Sequence, residues 1–140
     1  MEKRKIKVII KEPNKSPQVI EIFNDLKSMQ EIVKGYIEVV SFPTVKGADL
    51  IVNEEGKLEK LPGNFFIPHY EDCVVGNCIM AGYNDEGEFI SLTDKQVEKV
   101  NAYIKAFELG KEFDLYRDFD FLNRVMNRKM KEFDKDDSLC

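Results

Sequence analysis

The chain has no tryptophan, a single histidine (His69) and only three cysteines (Cys73, Cys78 and Cys140) in 140 residues. Each scarcity closes off a class of chemistry. A structural zinc site takes four Cys or His ligands at characteristic spacings, whereas His69, Cys73 and Cys78 offer three with no fourth nearby, so neither metal nor other cofactor is expected. An odd number of thiols at these spacings matches no disulfide framework, which points to reduced cysteines on strands. Glycine-rich turns feeding a helix start are missing too, and with them the usual phosphate cradle. The longest apolar runs, such as Phe65–Ile67, fall far short of the roughly twenty residues that cross a bilayer, so no membrane association is expected. MEKRKIKVII has the basic start of a secretion signal, but Lys7 and Lys11 interrupt its apolar part and no small-residue cleavage site follows. It reads as a first strand, and the protein as cytoplasmic.

What is present suits one soluble domain. Hydrophobic residues make up 43% and charged residues 34%, and a chain of this length buries roughly two-thirds of its unfolded surface. The net charge of −5 is unevenly spread. Residues 2–7 carry four basic groups against one acid, while residues 25–88 hold twelve acids against five lysines. An acidic middle repels a phosphate backbone, so direct nucleic-acid binding is disfavoured.

Alternation and turn chemistry give the elements. Ile6–Glu12 and Gln18–Phe23 flank the turn cluster Pro13–Pro17 and read as a β-hairpin. Asn24 or Asp25 caps a short helix through Val33, which Gly35 stops in a left-handed conformation. Tyr36–Phe42 and Ala48–Asn53 read as strands. Asn53–Gly56 then reads as a hairpin turn, with Gly56 at positive φ, into an alternating strand Lys57–Leu61. Phe65–Asp72 is a lid or an excursion across the sheet, and Cys73–Tyr83 is one strand with a bulge or close approach at Gly76 and Gly82. Asn84–Gly87 turns into the strand Glu88–Leu92. Thr93 and Gln96 form a capping box for a helix that Gly110 closes, and a second helix follows over about Glu112–Phe133, with Asp134–Cys140 frayed. The expected class is α+β: a small, largely antiparallel sheet of hairpins, one short helix near the N-terminus and a C-terminal helical pair. Residues 1–110 form the α+β domain, and 111–140 a helical extension packing on it or on a partner.

Candidate sites are few. Glu54 and Glu55 sit in a solvated turn, and a His69/Cys73 pair lacks an orienting third group, so no catalytic residue is expected. A nucleotide-like ligand could stack on Phe65, Phe66 or Tyr70, with Asn53, Asn64 and His69 nearby and Lys60, Lys57 or Arg4 at its phosphates. The stripe Leu115, Phe119, Leu122, Met126, Met130 and Phe133 on the last helix either packs back on the chain or forms a homodimer or partner surface.

The blocks GYIEVV (Gly35–Val40), VNEEGKL, LPGN, VVGN (Val74–Asn77) and EGEFISLTDKQ (Glu86–Gln96) resemble, in order and spacing, a family of small bacterial and phage proteins catalogued as a domain of unknown function, DUF3846. The resemblance covers roughly residues 6–100 and implies a small cytosolic α+β domain common in phages and mobile elements, without an established activity. In the family these blocks resemble, the asparagine of the LP-x-N block is usually followed by an arginine, where this chain has Phe65. Together these readings suggest a non-catalytic binding protein, engaged in counter-defence by sequestering a nucleotide-like signal. The alternative is an acidic inhibitor that binds a host protein by mimicking nucleic acid; a small hydrolase is the second alternative.

Overall fold

Ile6, Val8 and Ile10 alternate along the first strand with Lys7, Ile9 and Lys11, and the fold covers both sets, because the sheet they enter has a helix on one face and a second layer on the other. A computed structural model describes residues 4–137, so Cys140 and the last residues of the tail, together with the first three residues of the basic start, lie outside the described residues. The strands are β1 (Lys5–Lys11), β2 (Gln18–Phe23), β3 (Ile37–Ser41), β4 (Ala48–Asn53), β5 (Gly63–Ile67), β6 (Asp72–Val75), β7 (Cys78–Tyr83) and β8 (Phe89–Ile90). The helices are α1 (Leu26–Val33), α2 (Asp94–Phe107) and α3 (Leu115–Asp137), with a 3-10 turn over Pro68–Tyr70. The main sheet is antiparallel in the order β2-β1-β7-β4-β3, and β8 also pairs with β7. β5 and β6 form a separate antiparallel pair. The class is α+β, as the sequence predicts.

Side-chain parity on the central strand sets the two cores. Ile79 and Ala81 of β7 face α1, meeting Ile6, Val8, Met29, Val33 and Ile51. Cys78 and Met80 face the other way, into a larger core with Leu50, Phe65, Phe66, Val100, Tyr103, Phe107 and Leu122. That second core is built by the β5–β6 pair, α2 and α3. Asp25 caps α1 by accepting from Ser28 N at 2.7 Å, and the Thr93/Gln96 capping box opens α2 with both reciprocal bonds in place.

Several local expectations change. Lys57–Leu61 is not a strand: residues 54–60 wind through tight turns, with Glu59 N bonded to Glu55 O and Leu61 N to Gly56 O. β3 and β7 already flank β4, so its ladder has no place for the following residues. Gly56 is not in the left-handed region, which Lys60 enters instead (φ 54°); a Cβ on Gly56 would lie 2.7 Å from Val75 Cγ2, so close approach is what requires glycine there. Cys73–Tyr83 is two strands, because Gly76 (φ 71°) turns the chain out of the small pair and into the main sheet. Phe65–Ile67 belongs to β5, so the aromatic excursion is a buried hairpin. Lys34, not Gly35, is the left-handed residue ending α1 (φ 63°). α2 stops at Phe107, short of Gly110, because Glu108 bridges to Phe65 and Leu109 N donates to Asn64 O.

α3 folds back. Leu115, Leu122 and Met126 are buried in the larger core, with Phe119, Met130 and Phe133 packed against it. The Phe119 ring stacks on Phe66 at 6.0 Å between centroids, and Phe133 meets Tyr103 and Phe107 at 5.4 Å each. The stripe that could have served a homodimer therefore covers its own chain.

Candidate functional site

A groove of about 400 Å³ opens between β3–β4 of the main sheet and the β5–β6 pair, within the range of small-molecule sites. Parity builds its floor: Val40, Leu50 and Val52 point from the main sheet toward Ile67 and Val74 of the small pair. The turn after β4 forms one wall with Glu54, Lys57 and Leu58, the last of these 82% exposed. Tyr70 forms another, its hydroxyl donating to Ser41 O at 2.6 Å and so tying the 3-10 turn to β3. Around an apolar floor stand three carboxylates, Glu38, Glu54 and Asp72, and one cation, Lys57, which is ion-paired with Asp72. The stretch from Val52 to Leu58 is thus groove wall as well as connector.

The residues proposed from sequence scatter. Asn53 and Tyr70 line the groove. Asn53 is nonetheless engaged at both ends of its amide: Nδ2 donates to Val33 O at 3.1 Å and Lys34 O at 3.3 Å, and Oδ1 accepts from Glu55 N at 2.8 Å. It closes the C-terminal end of α1 onto β4. Phe65 and Phe66 are fully buried, so neither ring face is open for stacking on a ligand. Asn64 is buried as well, donating from Nδ2 to Lys11 O and Gly76 O at 2.8 Å each, and thereby holds the small pair to the main sheet. Lys60 lies away from the groove, beside Pro62 and Lys111.

His69 faces the helices. Its Nδ1 lies 2.8 Å from Tyr103 Oη and its Nε2 lies 2.7 Å from Asp134 Oδ1. Burial raises the Tyr103 phenol above its ordinary value, so that oxygen keeps its proton. In the neutral ring Nε2–H then donates to the carboxylate while Nδ1 accepts from the phenol. With both nitrogens engaged, His69 is not the base of a thiol. Burial also pushes the Cys73 and Cys78 thiols up to about 12, the opposite of activation. No group of three or more His, Cys, Asp or Glu side chains among the described residues could hold a metal ion.

Residues 6–108 match the profile of the domain-of-unknown-function family DUF3846. The chain belongs to that family. No curated protein and no solved structure matches the chain. The DUF3846 segment spans the strands of the described residues, apart from Lys5 at the start of β1, with α1, α2 and the whole groove, while α3 lies beyond it. Phe65, the residue after Asn64, sits in the core with its ring 6.4 Å from that of Phe42. No helix of the described residues is long and apolar enough to cross a membrane.

Of the groove's acids only Glu54 was considered from sequence, and then as part of a solvated turn; the apolar floor was not singled out. A signal existed in the alternation of GYIEVV and ADLIVN, which puts Glu38, Val40, Leu50 and Val52 on one sheet face. What sequence could not supply was the second layer, since the β5–β6 pair that roofs the groove read as a lid and a strand.

Proposed function

We propose that this DUF3846 protein is a non-catalytic binding protein whose ligand occupies the groove between the two sheets. The observation that carries the reading is the groove itself: an apolar floor with a carboxylate rim, whose thiol, Cys73, is held protonated by burial and from which His69 is turned away toward Asp134. Such a site can desolvate an apolar group and retain a cation beside it. Counter-defence in a phage or mobile element is a role this chemistry can serve in either of two ways. Sequestration of a nucleotide-like signal asks the groove to accept phosphates, against a surplus of two carboxylates once Lys57 is paired with Asp72. Engagement of a basic host protein by an acidic surface is favoured by the same rim, and electrostatic steering would speed the encounter.

Thermal shifts with a panel of nucleotides, spermidine and basic peptides test the reading, because a ligand that binds only the folded state stabilises it by mass action, about 2.7 kcal/mol at a hundredfold excess over Kd. The expected result is stabilisation by a cationic, part-apolar compound, without its turnover. Val52→Phe, which fills the floor, should abolish the shift. Stabilisation unaffected by that substitution, or consumption of any panel compound, would refute the proposal.

A further inference from the structure

β3 is an edge strand of the main sheet, with no strand of the described residues on its outer side. Its hydrogen-bonding phase follows from its two ends. Phe42 N donates to Ala48 O at 2.9 Å, and Tyr36 O accepts from Glu54 N at 2.8 Å. Residues opposite each other in an antiparallel pair alternate between bonded and non-bonded, so 36, 38, 40 and 42 spend their backbone groups on β4. Ile37, Val39 and Ser41 then turn theirs outward. Tyr70 donates to one of those outward carbonyls, that of Ser41, which shows that the row is available to donors; the outward groups of Ile37 and Val39 continue it.

Natural edges are blunted by charged side chains, proline, a bulge or a covering loop. Ile37–Ser41 has no proline, and its register with β4 is unbroken; its one charge, Glu38, reaches the groove, and Tyr70 occupies the carbonyl of Ser41 at one end. Glu38 and Val40, the two side chains of β3 that reach the groove, are separated by one residue. A strand added along β3 would therefore run beside the groove mouth. Every second side chain would enter, one beside the Glu38 carboxylate and the next beside Val40. Strand addition works in this way generally, with main-chain bonds giving affinity and alternate pockets giving selectivity.

Resting on the groove as the binding site, we infer that DUF3846 of this chain captures an extended segment of a basic partner protein by strand addition to β3. A lysine or arginine would face Glu38, Glu54 and Asp72, and an apolar residue would sit on Val40, Leu50 and Val52. Charge complementarity selects this occupant over an acidic segment or a nucleotide, since the rim carries three carboxylates against one lysine and the Lys57–Asp72 pair still leaves a surplus of two negative charges.

The test titrates the whole chain with a fluorescent, end-blocked peptide of alternating lysine and valine, about seven residues long to span one strand. Glutamate–valine and N-methylated lysine–valine versions serve as controls. Val39→Pro removes an outward N–H while leaving the β3–β4 bonds intact, as proline on an edge strand does, and circular dichroism checks that the fold is kept. Glu38→Lys reverses the charge, and Val52→Phe fills the floor. The expected result is binding of the basic peptide that weakens at least about tenfold with Val39→Pro or N-methylation, losses of the order that missing backbone hydrogen bonds produce. Glu38→Lys should transfer preference to the glutamate peptide. Binding lost with Val52→Phe but indifferent to Val39→Pro and N-methylation would overturn strand addition and leave the groove as a small-ligand site. Binding unaffected by any of the three substitutions would overturn both readings. A concentration-dependent dimer that Val39→Pro dissociates would assign the edge to a second copy instead, and overturn the basic partner.

Discussion

At the scale of single residues, the polar side chains that looked most functional prove to be structural. His69, Asn64 and Asn53 were all candidates to line a ligand stacked on the aromatic segment, but each satisfies groups that the fold would otherwise bury unpaired. His69→Ala leaves the Tyr103 hydroxyl unsatisfied in the core and frees α3 from the 3-10 turn, so unfolding in urea should show a loss of about 1–3 kcal/mol. Adding Tyr103→Phe should recover part of that loss, since removing both partners costs less than stranding one; a double variant no better than the single would contradict the hydrogen-bond chain. The thiols give a second check. With Cys140→Ser as background, Cys73 and Cys78 at about 12 should have roughly one thiolate in ten thousand at pH 8. Both should resist alkylation until the chain is unfolded. Fast labelling of either in the native protein would mean that a reactive site has been overlooked.

At the scale of elements, what could be read from sequence followed local chemistry. The β1–β2 hairpin, the Ala48–Asn53 strand and the capping box are specified by neighbours in sequence, and all three were legible. Thr93→Ala should accordingly cost about 1 kcal/mol by loss of the cap, measurable as a fall in denaturation midpoint without change in slope. The misread elements are those fixed by distant partners. Lys57–Leu61 has the alternation of a strand, but β4, the strand it follows, is already paired on both sides, and Gly76 divides what reads as one strand because two sheets need residues from it. The groove was illegible for the same reason, its floor and roof being 12 or more residues apart in sequence, as Val40 and Val52 are from Val74. α3 shows tertiary context deciding between two sequence readings. Its stripe could cover a partner or its own chain, and it completes the core beside Phe66 and Phe107. Leu122→Ala should therefore cost about 2–5 kcal/mol, the range for a buried leucine, although α3 lies outside the DUF3846 match. A loss under about 0.5 kcal/mol would mean that α3 is not part of the folded core.

At the scale of the molecule, the stability profile against pH follows from groups of both kinds. Hydrogen bonds from Asn84 and Lys7 hold Glu88 and Asp94 below the usual carboxylate range. Their folded pKa values lie under the unfolded ones, so their contribution is present above about pH 4 and disappears as pH falls through the folded values. The buried thiols act at the other end. From an ordinary value of 9.0 they rise to about 12, so the native state holds protons that the unfolded state releases. Stability should decline above about pH 9 by up to ~1.4 kcal/mol per pH unit for each thiol. Flat stability between pH 9 and 11 in equilibrium denaturation would contradict that burial. The proposed binding is a property of this scale as well, because the groove exists only where two sheets meet, and an acidic rim belongs to neither alone. The most direct measurement is an amide proton–nitrogen correlation spectrum recorded as the alternating lysine–valine peptide is added. Perturbations confined to β3, the turn from Glu54 to Leu58, Tyr70 and Asp72 are the result expected. Perturbations centred on the outer face of α3, or none at saturating peptide, would contradict the assignment of the groove as the place where this protein binds.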